Sequence, residues 1–179
     1  GLEWVDPPLA LAHPLDDGAA AILAPSIETT AEVLGADADA YRRQMETAVA
    51  LWPRIEKDLL GPFPFPPKDP FALARFGLNA IRSARGYATS TYGGDRARAL
   101  FAGLSAHSIL PLETAASAAI GLVLGVAGHV VGWPYPRGGT QSIANALASY
   151  LTSLGGEIRT GEWVTSLAQI PSDVVLFDT

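Results

Sequence analysis

The sequence contains no cysteine and only three histidines among its 179 residues. The lack of cysteine excludes disulfide bonds, thiolate metal sites and cysteine nucleophiles. His13, His107 and His129 are far apart and form no H-x-x-x-H or H-E-x-x-H pattern, so no metal site is predicted. A G-x-S-x-G nucleophile turn is missing as well. The sequence therefore identifies no catalytic residue.

Basic residues are also scarce, with 12 Lys and Arg against 18 Asp and Glu and a net charge of -6. Because duplex-binding proteins usually carry a basic excess, nucleic acid is not an expected partner. Neither G-x-G-x-x-G nor a Walker A pattern occurs, so the sequence contains no phosphate cradle of its own. Hydrophobic residues make up 49% of the chain, which is enough to form a core.

The two ends of the sequence predict an interior piece of a longer protein. The chain begins at Gly1 without a signal-peptide pattern, and residues 173–178 read as a buried strand directly before the last residue. We expect a cytoplasmic protein, with peripheral membrane association as an alternative.

A hairpin is predicted near the start of the chain. Asp17-Gly18 lies between two apolar runs at residues 9–13 and 19–23, which is a strong hairpin signal. After the hairpin, Ser26 is suited to cap a helix that continues to Leu34.

Most of the remaining chain is predicted to be helical, because apolar residues recur at steps of three and four. The predicted helices run from Asp37 or Asp39 to Gly61, from 71 to 85, from 95 to about 110, and from 140 to 154. Five prolines in residues 61–70 predict a stiff connector. Three strands are predicted after the last helix, at residues 157–159, 163–167 and 174–177.

Residues 114–136 contain no Asp, Glu, Lys or Arg. This run is long enough to cross a bilayer, yet its Ala, Gly and Ser content favours a buried helix over a small membrane protein. The spacing of Gly121 and Gly125 predicts close packing against another element. His129 is the only readily ionisable side chain in the run, and we expect it to be a hydrogen-bonded core histidine.

Arg75, Arg82 and Arg85 are predicted to share one helix face. We expect this face to be solvated, and contact with an anionic membrane surface or an acidic substrate is the alternative.

Four segments together resemble the phytoene-dehydrogenase-like FAD-dependent oxidoreductases. The family pattern is P-x-G-G, a helix, L-G-G, a strand and then a valine strand. The matching segments are HPLDDG at 13–18, ALFAGLSAHS at 99–108, GWPYPRGGTQSIANAL at 132–147 and LGGEIRTGEWV at 154–164.

The resemblance implies an α+β chain with two parts. Residues 1–137 would form a mainly helical substrate-binding cap domain that includes the small antiparallel hairpin. Residues 138–179 would be a partial α/β segment that returns to an interrupted Rossmann-like FAD domain. Gly138 and Gly139 would lie near the cofactor junction, and the backbone of Val164 would face the adenine ring.

The same resemblance implies a dehydrogenase or desaturase that transfers hydride from a hydrophobic substrate to flavin. Candidate substrate-pocket residues are His107, His129 and Trp133. The family's N-terminal glycine fingerprint and C-terminal flavin motif do not occur in this sequence. We therefore expect FAD in the full-length protein and not in this piece, whose partner would be the rest of the FAD domain. A non-catalytic helical lipid-binding module is the alternative function.

Overall fold

The computed structural model describes residues 1–62 and 64–177. Phe63 of the predicted connector, and Asp178 and Thr179 at the end, lie outside the described residues. The chain divides into a larger unit, Trp4–Tyr135, and a smaller unit that joins Gly1–Glu3 to the segment from Pro136 onward. The described part is α+β and 53% helical, with a small antiparallel hairpin, as the sequence predicts.

The hairpin consists of β2 (Leu11–Pro14) and β3 (Ala20–Leu23), in a register that pairs the first residue of one strand with the last of the other. Asp17 closes the turn, because its carboxylate accepts a hydrogen bond of 2.9 Å from the amide of Ala19. Gly18 follows with a φ of 80°, which explains the need for glycine. The short strands β1 (Trp4–Val5) and β4 (Tyr135–Pro136) form a second, two-stranded sheet.

Helix α1 (Ile27–Val33) begins as predicted, with the hydroxyl of Ser26 accepting from the amide of Thr29. The long helix α2 (Ala38–Leu60) follows and contains Pro53. Its apolar stripe is buried along the length of the helix. The buried members of the stripe are Tyr41, Met45, Ala48, Trp52 and Ile55.

The predicted single helix over 71–85 is wrong, because the structure has two helices there. Helix α3 (Pro70–Ala80) is capped by Asp69, which accepts from the amide of Ala72 at 2.9 Å. Helix α4 (Ala84–Thr91) starts again after Ser83, whose hydroxyl accepts from the amide of Gly86 at 3.1 Å. A second cap within the apolar pattern therefore divides the segment.

The break also overturns the predicted common face of three arginines. Arg75 belongs to α3, Arg85 to α4, and Arg82 lies in the turn between the helices. Arg85 pairs with Glu113 at 3.1 Å. The three side chains therefore do not form one helix surface.

Helix α5 (Asp95–Ala106) ends earlier than predicted, and Ile109 beyond it has a φ of 59°. Helix α6 (Ser117–Val130) occupies the charge-free run. It has 14 residues, fewer than the roughly 20 that cross a bilayer. Within residues 1–62 and 64–177, no helix is long and apolar enough to traverse a membrane.

Glycines form a stripe along α6 where its neighbours approach closely. A Cβ atom at Gly121 would lie 2.1 Å from Ser105 Oγ in α5, and one at Gly125 would lie 3.3 Å from Cε of Met45 in α2. At Gly128 it would lie 2.5 Å from Cδ2 of Leu23 in β3. The predicted role of the glycine spacing in close packing is confirmed by these approaches, and we call these three residues the glycine stripe.

The smaller unit contains helix α7 (Gln141–Ser153), which has no buried residue. The three strands predicted after it are wrong, since residues 157–159, 163–167 and 174–177 form no strand. A strand needs a neighbour for its backbone N–H and C=O groups, and the described part of this segment pairs with none. Residues 167–169 instead make a short 3₁₀ turn capped by Ser166.

We predict opposite effects for alanine at two helical glycines. Gly128→Ala should lower the free energy of unfolding by about 1–3 kcal/mol, because the new methyl group would collide with the fully buried Leu23. Gly77→Ala in α3 meets no atom within 4 Å and should raise it by about 0.5–1 kcal/mol through helix propensity. Urea unfolding of both variants measures the difference, and equal effects would contradict the packing described for α6.

Candidate functional site

A cavity of about 420 Å³ opens between α2, α3, α4 and α6 of the larger unit. Its inner wall is apolar and buried, formed by Ala48, Leu51, Phe76 and Leu122 with the ring of Tyr87. The volume falls in the range of about 300–1,000 Å³ that is usual for small-molecule sites.

Three arginines line the same cavity, namely Arg43 from α2, Arg75 from α3 and Arg82 from the turn before α4. Within residues 1–62 and 64–177, no aspartate or glutamate lines it. Among the described residues none of the three arginines forms an ion pair. The cavity is therefore electropositive in a chain whose net charge is -6.

Arg82 is held in place by its surroundings. Its Nη2 atom donates to Ser90 Oγ at 2.6 Å and to the carbonyl of Gly86 at 3.0 Å. The guanidinium carbon lies 5.1 Å from the centre of the Tyr87 ring, which is a cation–π distance. Burial raises the pKa of Tyr87 to about 12, so its hydroxyl stays neutral beside the arginine.

Gln44 lines the cavity and has one unpaired polar atom. The hydroxyl of the buried Tyr92 donates to Gln44 Oε1, whereas Gln44 Nε2 is buried and has no partner among the described residues. A buried N–H group without an acceptor is costly. A ligand in the cavity that offers a hydrogen-bond acceptor would relieve this cost once the amide turns toward it.

The predicted pocket residue His129 lies in a different cluster, where protein groups occupy both of its ring nitrogens. Nδ1 lies 3.1 Å from the carbonyl of Pro25 and Nε2 lies 2.7 Å from the hydroxyl of Tyr41. Because a carbonyl can only accept, Nδ1 carries the proton in the neutral ring and Nε2 accepts from Tyr41. This arrangement matches the hydrogen bonding that the sequence predicts, and the ring is partly buried.

The other two predicted pocket residues lie elsewhere in the larger unit. His107 is the exposed residue that caps the end of α5. Trp133 is partly buried beyond the end of α6 and packs on the core. The cavity lining includes neither residue, nor His129.

The predicted cofactor-binding residues belong to the smaller unit. Gly138 and Gly139 have φ values of 85° and 86° directly before α7. The hydroxyl of Ser142 in the first turn of α7 donates to the carbonyl of Arg137 at 2.9 Å. Val164 is 53% exposed and lies outside any strand.

Sequence reasoning missed Arg43 and Gln44 as candidate site residues. Gln44 stands three residues after Tyr41 and four before Ala48, so it interrupts the apolar stripe of α2 with an amide. A polar residue at an apolar spacing is a signal that could have found it. The convergence of Arg43 with Arg75 has no such signal, because the two arginines belong to separate helices.

Comparison with known proteins adds no relative: no protein-family model, curated protein or solved structure matches the chain.

We predict that His129 makes stability depend on pH. Burial lowers its pKa below the ordinary value of about 6.5. Below about pH 6.5 the unfolded chain therefore binds a proton at this histidine more readily than the folded chain does. The free energy of unfolding should fall as the pH drops from 6.5.

Urea unfolding of the wild-type chain and His129→Gln between pH 7.5 and 5 measures this effect. The variant should lose part of the acid dependence, whereas His107→Gln at an exposed position should keep it. Equal slopes for the wild type and His129→Gln would show that the histidine does not resist protonation.

Proposed function

We propose that this chain is the substrate-binding portion of an FAD-dependent dehydrogenase or desaturase of the phytoene-dehydrogenase-like kind. Residues 1–137 are the cap domain, and residues 138–179 are the segment that returns to a Rossmann-like FAD domain. The observation that carries the proposal is the unburied apolar surface of the smaller unit. Exposed large apolar residues there include Leu147, Tyr150, Leu154, Trp163, Val174 and Leu176.

That surface is what a segment of an interrupted α/β domain would present without its neighbouring strands. A helix in such a domain buries one face on the sheet, and its strands are apolar on both faces. Helix α7 has no buried residue, and Leu176 is 94% exposed. Both features are accounted for if the remainder of the FAD domain covers this segment.

The glycine pair before α7 supports a junction near a cofactor. Positive φ at both Gly138 and Gly139 excludes most side chains and lets the backbone approach a flat or charged group. In the complete enzyme these residues and Val164 would contact FAD.

The cavity of the larger unit provides the substrate site. Hydride transfer to flavin needs an oriented substrate and exclusion of water more than acid–base side chains. The buried apolar wall of the cavity meets that need for a hydrophobic substrate. Bound FAD would accept the hydride, and the residues of this chain would bind and orient the substrate.

A helical lipid-binding module is the second candidate function. The cavity favours it, because all of the lining residues belong to the larger unit. Such a module would need neither the glycine pair nor a flavin.

A protein produced from a gene extended on both sides of these 179 residues tests the proposed function. We expect it to purify yellow with the absorbance of bound flavin, and to lose flavin when Gly138 and Gly139 are replaced by valine. The single replacement Gly132→Val, at another glycine of positive φ outside the returning segment, serves as a control for general backbone strain. If the extended protein folds but is colourless and does not bind added FAD, the lipid-binding function is the better explanation of the cavity.

A further inference from the structure

We propose that the cavity between α2, α3, α4 and α6 binds an amphipathic anion, an apolar chain that ends in a carboxylate or phosphate group. The inference rests on the proposed function only for calling this ligand a substrate, because the binding itself needs no flavin.

The charge of the cavity selects the head group. Arg43, Arg75 and Arg82 approach it from three different segments, and no acidic residue of the described part of the chain lines it. Like charges gathered without counter-ions repel one another, and an anion that accepts hydrogen bonds from two guanidinium groups would offset this repulsion. A cationic head group would meet three positive charges.

Gln44 also lines the cavity, and its amide can serve the same ligand after a side-chain rotation. Its Nε2 atom is a buried donor without an acceptor among the described residues. Each oxygen of a carboxylate or phosphate can accept from such a donor. A neutral alcohol offers a weaker acceptor and no charge.

The buried wall selects the rest of the ligand. Leu51, Phe76 and Leu122 contribute apolar surface to the same cavity that the arginines line. A free inorganic anion would leave this surface uncovered, whereas an alkyl chain of moderate length would remove it from water. A cavity lined by both apolar side chains and arginines therefore fits an amphipathic ligand better than it fits an alkane or an inorganic anion.

Isothermal titration calorimetry of the 179-residue chain tests the proposal with four dodecyl compounds below their critical micelle concentrations. Dodecanoate and dodecyl phosphate should bind at least ~10-fold more tightly than dodecanol, since hydrogen bonds to charged groups are the stronger kind. Dodecyltrimethylammonium should bind most weakly. The tighter of the two anions identifies the head group, and either result supports the proposal.

Variants then assign the binding to the cavity. Arg43→Gln combined with Arg75→Gln should reduce the affinity for the anions by roughly 10-fold or more and leave dodecanol unchanged. The double lysine replacement at the same positions keeps the charge and should retain part of the affinity. Arg96→Gln, at an exposed position of α5, is the matched control and should bind as the wild type does.

The proposal is overturned if the wild-type chain binds no anion, if dodecanol binds as tightly as dodecanoate, or if the double glutamine variant binds like the wild type while its far-UV circular dichroism is unchanged. If the glutamine variant loses helicity, the double lysine variant is measured in its place. The proposal is then overturned if the lysine variant binds dodecanol with wild-type affinity and binds the anions no more tightly than dodecanol. Flavin binding by the extended protein is a separate measurement, so its failure leaves this result standing.

Discussion

The close approach of α6 to its neighbours is the constraint on which the larger unit depends. The glycine stripe lets α5, α2 and β3 come near the backbone of α6, and any Cβ atom at its first or last residue would overlap an atom of a neighbour. Leu122 stands next to the first glycine of the stripe and forms part of the cavity wall. The shape of the cavity is therefore linked to residues that contribute no side chain to it.

Polar groups inside the larger unit are distributed unevenly around this packing. In the cluster of His129 and Tyr41, both ring nitrogens of the histidine have hydrogen-bond partners within the protein. Gln44 on α2 is partly exposed, and its buried Nε2 atom has no partner among the described residues. A polar cluster whose hydrogen bonds are all made holds its helices and strands together. A buried donor without a partner instead leaves a hydrogen bond for a ligand to complete.

Local signals predicted the larger unit well where the chemistry is local. The turn at Asp17, the cap at Ser26 and the apolar stripe of α2 each depend on residues within a few positions, and all three elements form. The break at Ser83 was missed because apolar spacing continues across it. The strands after α7 failed for a different reason: a strand exists only with a partner, and sequence pattern cannot supply one.

The candidate site was less accessible to sequence reasoning than the fold. Arg75 and Arg82 were predicted to lie on one solvated face, and the structure instead directs them from a helix and a turn toward a shared cavity with Arg43. Histidines were predicted as pocket residues because of their chemistry. His129 instead connects α6 to Tyr41 of α2 and to Pro25, which follows β3. Side chains that converge from separate helices leave no periodic trace in the sequence.

Asp37 shows how a single charge fixes the geometry of two helices. It precedes α2, and its two carboxylate oxygens accept from the amides of Gly93 and Gly94 at 2.7 Å each, directly before α5. An asparagine of the same shape would turn one of those oxygens into an amide group that faces another donor. The starts of the two helices are held together because one side chain offers two equivalent acceptors. A side chain of the same volume with a single acceptor could not bind both amides.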